Sequence, residues 1–121
     1  MPEFMLLLYD RPSAFAHLSP EEMQRIIAEY VGWTREMVAS GRRSDSRKLK
    51  DEGGKVLRQE GGELAVVDGP YVEAKEVVGG YYVVRAESYD EAMEIARSCP
   101  HARYGARIEI RQIDDYAKGG G

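Results

Sequence analysis

A carboxylate and an imidazole are the side chains best suited to moving protons, and this chain offers them as Asp68 and His101. Asp68 opens the run Asp68-Gly69-Pro70-Tyr71-Val72-Glu73-Ala74-Lys75-Glu76, in which a turn is followed by closely spaced charges. An apolar stretch ending in Asp-Gly-Pro marks the end of a strand, where the backbone swings outward and presents a carboxylate at a rim. A carboxylate on one ring nitrogen of a histidine fixes the tautomer and makes the other nitrogen a better base, so Asp68 and His101 form the candidate acid–base pair. In the blander alternative Asp68 caps its own turn and His101 lies exposed behind a helix. Glu73, Lys75 and Glu76 either orient a ligand with anionic or amide groups or form a solvated cluster. Tyr71 is either a binding group or packing. Arg107, Glu109 and Arg111 alternate along one face of a strand near the C-terminus, where they either meet a ligand or pair with one another.

Other chemistries find less support. The two histidines, His17 and His101, are far apart in sequence and lack the spacing of a zinc site, so no metal is expected. Neither a Walker loop nor a Gly-x-Gly-x-x-Gly follows a strand, and no cofactor is expected. Cys99 is the only cysteine, which rules out an intrachain disulfide and favours a reducing, cytoplasmic setting. The 17 basic and 21 acidic residues give a net charge of -4, unlike a duplex-binding domain, and direct nucleic-acid contact is not expected. The longest apolar run, Phe4 to Tyr9, is too short to span a bilayer, so no membrane partner is expected.

The elements that must position these residues can be read in order. Phe4 to Tyr9 is apolar at every position, as in a central strand covered on both faces. Ser19-Pro20-Glu21-Glu22 supplies an N-cap, a proline at N1 and a glutamate at N3, predicting a helix over Pro20 to Ser40. Its buried face is expected to hold Met23, Ile26, Ile27, Tyr30, Thr34, Met37 and Val38, with Gly41 as the stop. The basic stretch from Arg42 to Lys50 reads as a solvated strip rather than a phosphate site. Lys55 to Gln59 and Glu63 to Val67 flank Glu60-Gly61-Gly62 as a hairpin. Gly79 to Ala86 is a strand, and Ser88 with Glu91 caps a second helix that buries Ala92, Ile95, Ala96 and Cys99. Ala106 to Ile113 alternates strictly and closes the fold.

The order is that of an α+β, ferredoxin-like βαββαβ sheet with an inserted hairpin strand, in one domain over residues 1–121 with a flexible tail from 114. Two helices cover one face only. The first strand is apolar on the other as well, so a second copy of the sheet is the expected cover, giving a homodimeric barrel.

Asp68-Gly69-Pro70-Tyr71 with Glu73, Lys75 and Glu76, then Gly79-Gly80-Tyr81-Tyr82, Cys99-Pro100-His101 and Ile108-Glu109-Ile110-Arg111, together resemble the YCII-related family in its Asp-Gly-Pro-Phe branch. Tyr71 stands for the usual Phe, Ala74 for Thr and Gln112 for Pro. The resemblance implies a dimeric α+β barrel, kinship with small enzymes such as muconolactone isomerase, and a His–Asp pair as the active site. It also implies contact with transcription, since some members are attached to sigma factors. The functional expectation is a cofactor-independent isomerase-like or lyase-like enzyme acting on a small molecule in a polar pocket. The alternative is a non-catalytic ligand-binding or interaction module with a transcription-factor partner.

Overall fold

Glu3–Asp10 forms β1, and its even-numbered side chains Phe4, Leu6 and Leu8 are buried while the odd-numbered ones are half-buried. That alternation belongs to a strand with one face sealed and the other only partly covered. In the computed structural model, which describes residues 1–11, 15–69 and 76–114, β1 lies inside a four-stranded antiparallel sheet. The tail expected from 114 falls, from 115 onward, outside the described residues. Strands Arg43–Lys48 (β2), Val77–Arg85 (β5) and Arg107–Gln112 (β6) complete that sheet in the order β2-β5-β1-β6, the ferredoxin-like arrangement. Lys55–Glu60 (β3) and Glu63–Asp68 (β4) form a separate two-stranded sheet.

The basic stretch, expected as a solvated strip with no strand assigned to it, forms the edge strand β2. Arg-Ser-Asp-Ser-Arg-Lys has little strand propensity of its own, and its backbone pairing with β5 decides the outcome. The hairpin, expected to add a strand to the sheet, is instead inserted whole between β2 and β5. It turns through Gly61 and Gly62 at φ 55° and 84°, a conformation open to glycine.

Helix α1 (Pro20–Ala39) starts with the expected capping box, Ser19 Oγ accepting from the Glu22 amide and the Glu22 carboxylate from the Ser19 amide. Its buried stripe is rotated from the expected one. Ile26, Tyr30, Trp33 and Met37 turn inward, whereas Ile27 and Val38 are each 53% exposed. Trp33 takes the central place, edge-on to Tyr82 with ring centroids 4.9 Å apart and its Nε1 donating to Ser98 Oγ at 2.9 Å. Helix α2 (Tyr89–Arg97) buries Ala92, Ile95 and Ala96 as expected, and after Cys99 the chain makes a short turn of helix, α3 (His101–Tyr104). All these helices pack on the Phe4, Leu6, Leu8, Tyr82 and Val84 face of the sheet. No helix among the described residues is long and apolar enough to cross a membrane.

Candidate functional site

Between α1 and the helix-covered face of the sheet lies a cavity of about 590 Å³. One wall is Leu8 and Asp10 of β1 with Gly80 and Tyr82 of β5; the other is α1, through Ile26, Ile27 and Tyr30, and His101 closes one end. Asp10 lies on this face by the same alternation that places Phe4, Leu6 and Leu8 there, and a bulge in β5, with Leu8 opposite Gly80 and Tyr9 opposite Val78, leaves Gly79 without a β1 partner beneath the carboxylate. A Cβ on Gly79 would stand 2.0 Å from Asp10 Oδ2, so only glycine leaves room for the carboxylate there.

His101 is 3% exposed, and both ring nitrogens are engaged. Nε2 lies 2.7 Å from the carbonyl oxygen of Tyr9 and 3.6 Å from Asp10 Oδ1. Both neighbours accept only, so Nε2 carries the ring proton when the imidazole is neutral. Nδ1 is then the acceptor for the Tyr30 hydroxyl at 2.9 Å. The product is a chain of three groups, Tyr30 to His101 to Asp10, with the phenol at the cavity wall. Tyr30 is further fixed from below: Tyr82 hydroxyl and Thr34 Oγ1 lie 2.6 Å apart, and Thr34 Oγ1 donates to the Tyr30 carbonyl at 2.8 Å.

Burial pushes the Tyr30 phenol upward, so it stays protonated and acts as a donor. Burial also raises the Asp10 carboxyl above its ordinary value, an effect opposed by His101 and Lys48. Its folded-state pKa being the higher, the stability it contributes is present below the ordinary carboxylate pKa and lost as pH rises through the raised one. Asp10→Asn is therefore expected to raise Tm at pH 7.5, with the gain shrinking toward zero near pH 3.5. Parallel thermal melts of both proteins check this, and a lower Tm for the variant at pH 7.5 would show that attraction to His101 and Lys48 outweighs burial. Cys99, buried nearby, has its thiol pushed up to about 11 by desolvation and is no nucleophile at neutral pH.

The residues singled out in the sequence fall in three places. His101 is in the cavity. Asp68 is not its partner within one chain: it ends β4 on the hairpin, 84% exposed at its side chain, where the strand register sets it opposite Lys55 and the two form an ion pair. Asp10 takes the position beside the imidazole that Asp68 was expected to fill. Tyr71, Glu73 and Lys75 lie outside the described residues. Glu76, Arg107 and Glu109 gather on the opposite, open face of the sheet. There Glu76 pairs with Arg107 at 2.8 Å, Arg107 stacks 3.9 Å from the Tyr9 ring centroid, and Tyr9 donates to Glu109 at 2.8 Å. Arg111 stands exposed on β6, in register with Met5. The expected contact among Arg107, Glu109 and Arg111 is thus partly replaced by pairing to Glu76 and Tyr9.

Sequence reasoning missed Asp10 and Tyr30. Asp10 carried the same signal as Asp68, an acid closing an apolar strand, but no glycine or proline drew attention to it. Tyr30 reads as one more apolar position on a helix. No group of three His, Cys, Asp or Glu side chains converges as a metal site among the described residues.

Comparison with known proteins supplies a context. The model of the YCII-related domain matches residues 2–116. An uncharacterised protein of Rhizobium meliloti (strain 1021), R00369, is 30% identical over 118 residues, covering 96% of this chain and 95% of the relative. Among solved structures, 5-chloro-2-hydroxyhydroquinone dehydrochlorinase from Burkholderia phenoliruptrix AC1100, in complex with 2,5-dihydroxybenzoquinone, superposes with a TM-score of 0.51 at 16% identity over 93% of each chain. That likeness is one of fold.

Proposed function

This chain belongs to the YCII-related family, and we propose that it is a cytoplasmic, homodimeric enzyme that moves a proton on a small molecule, isomerase-like or lyase-like and without a cofactor. The observation that carries this reading is the Tyr30–His101–Asp10 chain ending in a cavity. A substrate proton passes to Tyr30 Oη as the phenolic proton passes to His101 Nδ1. The new imidazolium, already donating from Nε2 to the Tyr9 carbonyl, has the Asp10 carboxylate 3.6 Å away to offset its charge. Return of the proton at another atom completes an isomerisation; loss of a leaving group from the carbanion completes an elimination. His101 keeps the role that the sequence suggested, with Asp10 rather than Asp68 as its carboxylate. The structural neighbour is a dehydrochlorinase, and the reaction in its name is of a kind with this elimination. In the dimer the open sheet faces meet, and Arg107, Glu109 and Arg111 line the shared interior as a charge lattice or a second set of ligand contacts.

Deuterium incorporation reports such a step whatever the product turns out to be. Small oxo acids and lactones are screened for binding and incubated with the protein in D2O. Exchange at carbon is expected for one or more binders and is expected to fall ~10²–10⁴-fold in Tyr30→Phe, which keeps the fold and loses the relay hydroxyl. Compounds that bind in the cavity yet show no enzyme-dependent exchange would sink the catalytic reading. A second reading then gains, a ligand-binding module with a transcription partner. It draws on one observation: both nitrogens of His101 are already satisfied inside the protein.

A further inference from the structure

The cavity walls say what kind of molecule would fit, and this inference rests on the reading of the cavity as a ligand site. Leu8, Phe15, Met23, Ile26, Ile27 and Val31 make most of it apolar, and Ile27 and Val31 remain 53% and 42% exposed at its edge although both are large and hydrophobic. Exposed aliphatics beside a concave apolar wall are surface that a bound molecule would cover. The charged groups are Asp10, Arg11, Arg47, Lys48 and Asp51. Lys48 is taken by Asp51 at 2.7 Å and Arg47 by Asp45 at 2.8 Å. Arg11 alone among the cavity's cations has no partner among the described residues, and it directly follows Asp10 in the chain.

We propose that the ligand is a small monocarboxylic acid with an apolar, ring-sized body, its carboxylate gripped by Arg11 and its body lying along Ile26, Ile27 and Val31. A guanidinium offers a carboxylate two parallel hydrogen bonds, a geometry that fixes orientation as well as adding attraction. One cation unpaired among the described residues suits one negative charge; the Asp10 carboxylate in the same cavity opposes a second. About 590 Å³ accommodates one substituted ring, or two small ones, within the usual range for small-molecule sites. The anchor would then hold the body of the ligand against the wall that carries the Tyr30 hydroxyl.

Benzoate, its neutral isostere benzamide and dianionic phenylphosphonate serve as probes, titrated into the isotope-labelled full chain and into Arg11→Gln while amide signals are followed. The expected result is benzoate binding with shifts at Leu8, Ile27 and Gly80, ~10-fold or more tighter than benzamide. Arg11→Gln should bring benzoate down to the level of benzamide with Tm unchanged. Equal binding of benzoate and benzamide in the cavity, an unaltered benzoate affinity in Arg11→Gln, or tighter binding of phenylphosphonate overturns the monocarboxylate assignment and leaves the small-molecule site standing. If none of the probes perturbs the cavity, the ligand-site reading falls with it.

Discussion

Gly105→Ala is expected to evict the His101 ring from its site. An added Cβ would stand 2.0 Å from Nε2 and 2.3 Å from both Cδ2 and Cε1, so the imidazole lies flat against the glycine. Gly105 has φ of -89°, which alanine adopts without strain, and the substitution therefore tests packing alone. The ring is wedged between this glycine, the Tyr9 carbonyl and the Tyr30 hydroxyl, and a shift large enough to clear the methyl breaks both hydrogen bonds. Overpacking of this kind costs ~1–3 kcal/mol, and each hydrogen bond lost adds ~1 kcal/mol. The check is a thermal melt together with the imidazole proton spectrum. The wild type should show a slowly exchanging Nε2 proton, because the ring is buried and bonded to a carbonyl, and the variant should lose it. Gly79→Ala is the companion. Its Cβ meets the Asp10 carboxylate rather than the ring, so it should displace the acid and leave the slow Nε2 proton in place. A Gly105→Ala protein with unchanged melting and an unchanged imidazole spectrum would show that the ring has room the structure does not give it.

Leu7→Lys is expected to convert the proposed homodimer into a folded monomer. Leu7 sits in the middle of the open face, level with Tyr81 on one side and Glu109 on the other, with Met5 and Val83 beside them. It is only half-buried in the single chain, so a lysine there leaves the Phe4, Leu6 and Leu8 core untouched. In a face-to-face pairing of two sheets the same position is lost from water in both copies. Two-fold symmetry makes each interface carry the substitution twice. Burying the ammonium costs several kcal/mol, of which the neighbouring Glu109 carboxylate, already accepting from Tyr9, offsets only a part, and the remainder is enough to weaken association by ~10²-fold or more. Sedimentation of both proteins at matched concentration checks this, with circular dichroism to confirm the fold. The variant should run at the 13.6 kDa chain mass. A wild type that is itself monomeric at high concentration removes the dimer and, with it, the enclosed interior in which Arg107 and Glu109 were given a place.

Both long helices were legible in the sequence from their first turns, because capping is a local matter: Ser19 with Glu22 and Ser88 with Glu91 satisfy backbone groups that no distant residue needs to reach. The phase of α1 was less legible. The three-and-four spacing gives a period, and two stripes were available, one through Ile27 and Val38 and one through Trp33. The shape of the sheet beneath selects between them, and that information is not in the helix. Strand β2 was invisible because its residues favour solvent and its pairing is decided by β5. For the site, His101 stood out by its type alone. Its partners did not: one is a backbone carbonyl, which every residue has, and another is a tyrosine 71 positions away. Asp68 drew attention through a vivid turn sequence, yet the hairpin that carries it is hydrogen-bonded only to itself among the strands.

The burial of Cys99 has a practical side. The only thiol of the chain is 1% exposed, and its pKa of about 11 keeps the reactive thiolate scarce at neutral pH. Maleimide dyes and spin labels thus meet a native background that is nearly silent, and a cysteine placed at will becomes the single addressable point on the molecule. Installed at Leu57, exposed on the hairpin, such a label reports the motion of the hairpin, and in the proposed homodimer the distance between the two hairpins, without first stripping the protein of its own sulfur.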